Sequence, residues 1–186
     1  MMPSRARLNL EGLIKQEQVI FQSLPIPTPW ELTLWSVEHW LPQRLKQPTL
    51  TFETHRQSLE KNGYSVPPKA ALPLDFQDFC KALIVYLQRT RSLKFSMAAA
   101  YNIAVRRLYN PLFERGVSDP TQLTRGDFDR VVAFLRESGY KNLYDAISHL
   151  QVIADTIDNL QLTEIAIHFE HDAKPEKRRH DYISLH

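Results

Sequence analysis

The sequence predicts an all-α (mostly) protein in which a four-helix bundle follows a helical leader with one short β segment. Three observations carry that expectation. Four successive stretches between residues 74 and 160 repeat apolar side chains every three or four positions, with short polar turns between them. The irregular signals, SLPIPTPW and QSLEKNGYSVPPKAALPL, lie before residue 74. One stretch alone, TLTFETH, alternates in the β-branched manner of a strand.

The elements follow in order. Residues 8–22 put Leu10, Leu13/Ile14 and Ile20/Phe21 on one helical face. Three prolines in SLPIPTPW make a linker. WELTLWSVEHWLPQRL reads as a short helix that starts at Pro29, presents Leu34, Val37, Trp40 and Leu41, and ends near Pro42. TLTFETH is the short strand, and the NG, PP and LP pairs after it mark a loop. A boundary at about 65–73 divides a leader subdomain (1–70) from a helical domain (71–173), with a basic tail (174–186) after it.

In the second part, Asp75 is a cap candidate for a helix that buries Phe76, Phe79, Leu83 and Leu87. A second helix restarts at Ser92 or Ser96, carries Met97, Tyr101, Ala104/Val105 and Leu108 inward, and is kinked or ended by Pro111. Gly116 closes that segment. Thr124 with Asp127 forms a capping pair for a third helix with Phe128, Val131 and Phe134/Leu135 inward. The fourth turns Leu143, Ile147, Leu150, Ile153/Ala154 and Ile157 to one side. Four helices joined by short turns pack naturally as a bundle.

Composition excludes several function classes. The chain of 186 residues is 43% apolar and 24% charged, as globular proteins are. No run approaches the ~18 apolar residues of a membrane span. MMPSRARLNL lacks the apolar core of a secretion signal. The single cysteine, Cys80, permits no internal disulfide and no cysteine-built zinc site, and it reads as a core residue of a cytoplasmic protein. There is no glycine-rich phosphate loop, no HExxH and no Ser-His-Asp grouping. His168 and His171, beside Glu170 and Asp172, read as a polar end rather than a metal site, and Tyr182 as a tail residue rather than a nucleophile. No cofactor, metal or small-molecule substrate is expected.

Charge is the feature above background. The net charge is +2 over residues 1–73, +4 over 74–116, −6 over 117–173 and +2 over 174–186. Between Asp78 and Glu114 there are six Lys/Arg and no Asp/Glu. With Met97, Tyr101, Ala104 and Leu108 inward, Ser96, Asn102, Arg106 and Arg107 are expected to project away from the core, beside Arg89, Arg91 and Lys94 at the preceding turn. Such a face suits phosphates. The competing reading is internal, with the acidic segment neutralising the basic one.

The order of motifs favours the first reading. Tyr86-Leu87, then Tyr101, then Pro120 with Leu123-Thr124 and Asp127, then the Lys141-Asn142 turn, resembles the core-binding domain of tyrosine recombinases, the phage-integrase family. The leader is similar to the leaders of large bacterial site-specific integrases. The resemblance implies a four-helix, SAM-like bundle that clamps duplex DNA in the cytoplasm, with homo-oligomers forming on DNA in the full-length protein. It implies DNA contacts from Lys94, Ser96, Asn102 and Arg106 on the second helix and from Lys141, Asn142 and Tyr144 at the start of the fourth. The tail residues Lys177, Arg178 and Arg179 would cross the backbone as a linker toward a catalytic domain. The family's catalytic Arg, Lys, His-x-x-Arg and Tyr set is not present; no His-x-x-Arg occurs. This segment is therefore expected to bind DNA without cutting it. The alternative is an all-α protein–protein adaptor with a basic docking face, anchored by its three tryptophans and Pro-rich leader.

Overall fold

A computed structural model describes residues 2–25, 27–41, 48–55 and 66–170. Among them are five α-helices and one two-stranded sheet, so the protein is mostly α-helical. Helix α1 (Arg5–Gln22) starts three residues earlier than its apolar pattern suggests, because the Ser4 hydroxyl accepts the Arg7 amide at 3.1 Å and caps it.

The helix expected over 29–42 is absent. Strand β1 (Leu34–Ser36) lies there, antiparallel to β2 (Thr49–Thr51), in the register Leu34↔Thr51, Trp35↔Leu50, Ser36↔Thr49. Leu34 and Ser36 face out while Trp35 and Val37 face in, a period of two that keeps Val37 inward, as the helical reading had it, and turns Leu34 to the outside. Trp35 is fully buried and stacks on Phe21 at 4.1 Å, with Trp30, Trp40 and Phe52 around it. The expected short strand is present as β2. Its extended course continues: the Thr54 amide donates to the Ala70 carbonyl and the Leu72 amide to that of Phe52. Ala71, read as loop, thereby bridges Glu53.

Helix α2 (Leu74–Arg91) is buried nearly all round, which makes it the central helix. α1 lies along it in the same direction, since Arg7 pairs with Asp75 near both N-termini and Glu17 with Arg89 near both C-termini. Asp75 therefore serves an ion pair, and no side chain caps α2. Ser92 is the left-handed C-cap of α2 (φ 53°), not the start of the next helix; α3 (Phe95–Glu114) begins after Lys94. It continues through Pro111 to Glu114, so the proline does not end the helix there. Gly116 (φ 76°) takes the left-handed turn that follows.

Helix α4 (Arg125–Glu137) opens as expected, with the Thr124 amide donating to Asp127 at 2.9 Å. Helix α5 (Leu143–Leu160) ends at left-handed Gln161, and the Asp158 carboxylate accepts the amides of Ile167 and His168, which folds 161–170 back so that Phe169 meets Phe128. α3 packs against α2, α4 and α5. Leader and helical part bury one continuous apolar cluster, from Leu10, Phe21, Trp35 and Phe52 through Phe76 and Phe79 to Leu108 and Ile153. No described helix is long and apolar enough to cross a membrane.

Candidate nucleic-acid interface

The basic stretch divides by what its side chains touch. On α3, Asn102, Arg106 and Asn110 lie one turn apart. Their side-chain N–H groups donate to the carbonyls of Thr51 (2.9 Å), Glu53 (2.7 Å) and His55 (3.3 Å). The match is geometric. Four helical residues advance about 6 Å, and two extended residues advance about 6.6 Å. A helical ladder at i, i+4, i+8 therefore meets alternate carbonyls of a strand. All three side chains are buried. Asn102 and Arg106, expected to face solvent, are instead turned against the leader.

Other cations are also engaged. Arg89 donates twice to Glu17, at 2.9 and 2.6 Å, and that carboxylate is fully buried. Lys81 is wholly buried, donates to the Trp30 carbonyl (2.6 Å) and Gln77 (3.1 Å), and lies over the Phe52 and Trp35 rings. Burial depresses its pKa, with Asp78 acting the other way. His55 is held at about 4 by burial first and then by the positive charges of Arg107 and Arg106, so it is neutral at pH 7. Cys80 is fully buried and its thiol is pushed up by burial, which leaves it an inert core residue, as expected.

Six of the expected contact residues are exposed, Arg89 and Asn142 among them. Arg91, Lys94 and Ser96 stand at the α2–α3 turn and Lys141 at the α4–α5 turn. The side chains of Arg91, Lys94 and Lys141 have no hydrogen-bonding or ion-pairing partner among the described residues. Lys94 occupies the N-cap of α3, whose first turn holds no acid, so that helix starts without a side-chain cap. Asn142 likewise caps α5 with no side-chain hydrogen bond. Tyr144 is half-buried. Arg107 is buried and comes together with Asn142 at a small pocket, its guanidinium 4.8 Å from the centre of the Tyr140 ring. Lys177, Arg178 and Arg179 lie outside the described residues, as do His171 and Asp172. Among the described residues no cluster of three His, Cys, Asp or Glu side chains is arranged to hold a metal ion.

The sequence missed the role of Asn110, for which the Asn-x-x-x-Arg-x-x-x-Asn spacing on α3 was the available signal. Comparison with protein-family models, with curated proteins and with solved structures found no match.

Proposed function

We propose that this chain binds duplex DNA through its backbone, as the non-catalytic N-terminal region of a tyrosine-recombinase-like protein, with α2–α5 in the role of a SAM-like core-binding bundle. The observation that carries the reading is the bare basic start of α3. Arg91 and Lys94 are exposed and unpaired beside a 20-residue helix whose first amides meet no capping side chain and no acid. Helix dipole and cations there favour the same thing, a phosphate oxygen. α5 repeats the arrangement with Lys141 and Asn142, although Asp145 in its first turn weakens it. Asn102, Arg106 and Arg89, engaged internally, drop out as groove contacts. The adaptor reading loses two of its anchors, since Trp30 and Trp35 are core residues.

The test is fluorescence-anisotropy titration of a random-sequence duplex at two salt concentrations. The wild type should weaken steeply with salt. An Arg91→Ala/Lys94→Ala/Lys141→Ala variant should lose affinity and flatten log K against log salt by about 2–3, close to 0.9 for each phosphate contact removed. No binding at low salt, or an unchanged slope in the variant, refutes the proposal.

A further inference from the structure

Two buried guanidinium groups meet the end of the leader strand. Arg106 is 9% exposed and Arg107 7%, and among the described residues neither forms an ion pair. The Arg106 Nε–H donates to the Glu53 carbonyl, and the Arg107 Nε–H is buried without an acceptor. Enclosed charges of one sign make any further positive charge beside them costly. Two imidazoles stand there. His55 is half-buried at the strand end, where its carbonyl accepts the Asn110 Nδ2–H at 3.3 Å, the longest rung of the ladder. His149 comes from α5, lines a cavity together with Arg107 and is in edge contact with Tyr101. The other groups offset little of this charge. Glu53, on the same strand as His55, attracts Arg106 but lies 3.9 Å from Lys69 of the returning segment. Cys80 of α2 is near Arg106, and its thiol is neutral. Tyr140 covers the face of Arg107, and exposed Asp145 acts on His149. His55 thus meets Arg106 and Arg107 with no acid to balance them.

We propose that His55 is the trigger of an acid-sensitive latch: proton uptake by its imidazole releases the strand end at Glu53–His55 from α3 while the described helices stay folded. The hydrogen bonding lets that end leave as a unit. Thr54 bonds to the returning segment, its amide to the Ala70 carbonyl at 2.7 Å and its hydroxyl to the Pro68 carbonyl at 2.9 Å, and Glu53 bridges Ala71. Those bonds can travel with the strand. Lifting off α3 gives up the Arg106–Glu53 and Asn110–His55 bonds, while the Thr51 rung and the aromatic nest around Trp35 lie upstream and stay. Away from the guanidinium groups, a hydrated imidazole takes its proton near 6.5; in the latched strand it does so at about 4, through burial first and then Arg107 and Arg106. The latched value is the lower one, so the latch is full above pH 6.5 and weakens as pH falls, by about tenfold per unit and about 300-fold by pH 4. His149, lowered by burial first and then by Arg107 with Asp145 acting the other way, is not needed for release. The released strand end frees the Arg106 guanidinium and the Asn110 amide for an outside acceptor, donors that α3 withholds at neutral pH.

The experiment follows hydrogen exchange in the whole ¹⁵N-labelled chain by NMR from neutral pH to about pH 4. Protection of the Arg106 Nε–H, taken relative to that of exposed Arg91, should fall by about 300-fold over the range. The Trp35 indole N–H, bonded to the Trp30 carbonyl in the nest, should keep its protection throughout. His55→Gln, which stays neutral at a half-buried position, should hold Arg106 protection level with pH. His55→Lys, which carries its charge at every pH used, should leave Arg106 poorly protected already at neutral pH with Trp35 still protected. His149→Gln should show the same fall as the wild type. Level Arg106 protection in the wild type, a fall that Trp35 shares, or an undiminished fall in His55→Gln overturns the proposal.

Discussion

Arg106→Met separates two explanations of the basic stretch. If Arg106 served DNA, its removal would leave stability alone and weaken binding. In the structure it is 9% exposed, and its Nε–H donates to the Glu53 carbonyl at 2.7 Å. A charge-assisted bond of this kind contributes about 1.5–3 kcal/mol. Methionine keeps much of the volume and relieves the desolvation that lowers the Arg106 pKa, which offsets part of the loss. The net cost should be about 2 kcal/mol, or about 6 °C in Tm for a chain of this length. Urea unfolding followed by tryptophan fluorescence is the assay, because Trp35, stacked on Phe21, reports the leader directly. Arg91→Met, at an exposed position, should stay within about 0.5 kcal/mol of wild type. At 20 °C the folded Arg106→Met protein should bind duplex as the wild type does. A stability change below about 0.5 kcal/mol in Arg106→Met would refute the ladder as a docking device.

His55 gives a pH signature. Its folded pKa of about 4 lies below the ordinary 6.5, so between those values the unfolded chain holds a proton that the folded one does not. Stability is full above pH 6.5 and falls as pH drops toward 4, by about 3 kcal/mol for this group. His55→Gln should flatten that part of the stability–pH curve, measured as the difference in urea midpoints between the two proteins; parallel curves would count against it. Glu17→Gln removes the buried partner of Arg89 and should cost about 2 kcal/mol, since Arg89 is partly hydrated and part of the loss is recovered. Thermal melts of Glu17→Gln and of Glu11→Gln, an exposed control on the same helix, should differ accordingly.

The helices of the second part were legible because each carries its own amphipathic pattern, and periodicity is a local property. β1 was not. Val37 is inward in both readings, but Leu34, inward in the helical one, stands exposed; what selects the strand is pairing with Thr49–Thr51 and the stacking of Trp35 on Phe21, neither of which the local window contains. The same reason hid the fate of Arg106. Its charge was visible in the sequence, and acidic side chains were the obvious internal partners. The partner is a main-chain carbonyl, and every residue has one, so no letter of the sequence marks it. Composition therefore overstates the charge left for a ligand. Of the six cations between Asp78 and Glu114, Lys81, Arg89 and Arg106 are engaged within the protein.

All three of those cations are held by the leader. Lys81 bonds the Trp30 carbonyl, Arg89 bonds Glu17, and Arg106 bonds the Glu53 carbonyl. The leader also supplies Leu10, Phe21, Trp35 and Phe52 to the common core. Removing it would expose the apolar faces of α2 and α3 and leave Lys81 and Arg106 without those bonds. A fragment starting at residue 66 should accordingly keep helical far-UV circular dichroism but melt without a cooperative transition and bind a hydrophobic dye. Mixing it with a peptide spanning 2–55 should restore cooperativity if the docking surfaces alone are sufficient. A fragment that melts sharply by itself would show that the basic helices need no leader, and would return Arg106 to the set of residues open to a ligand.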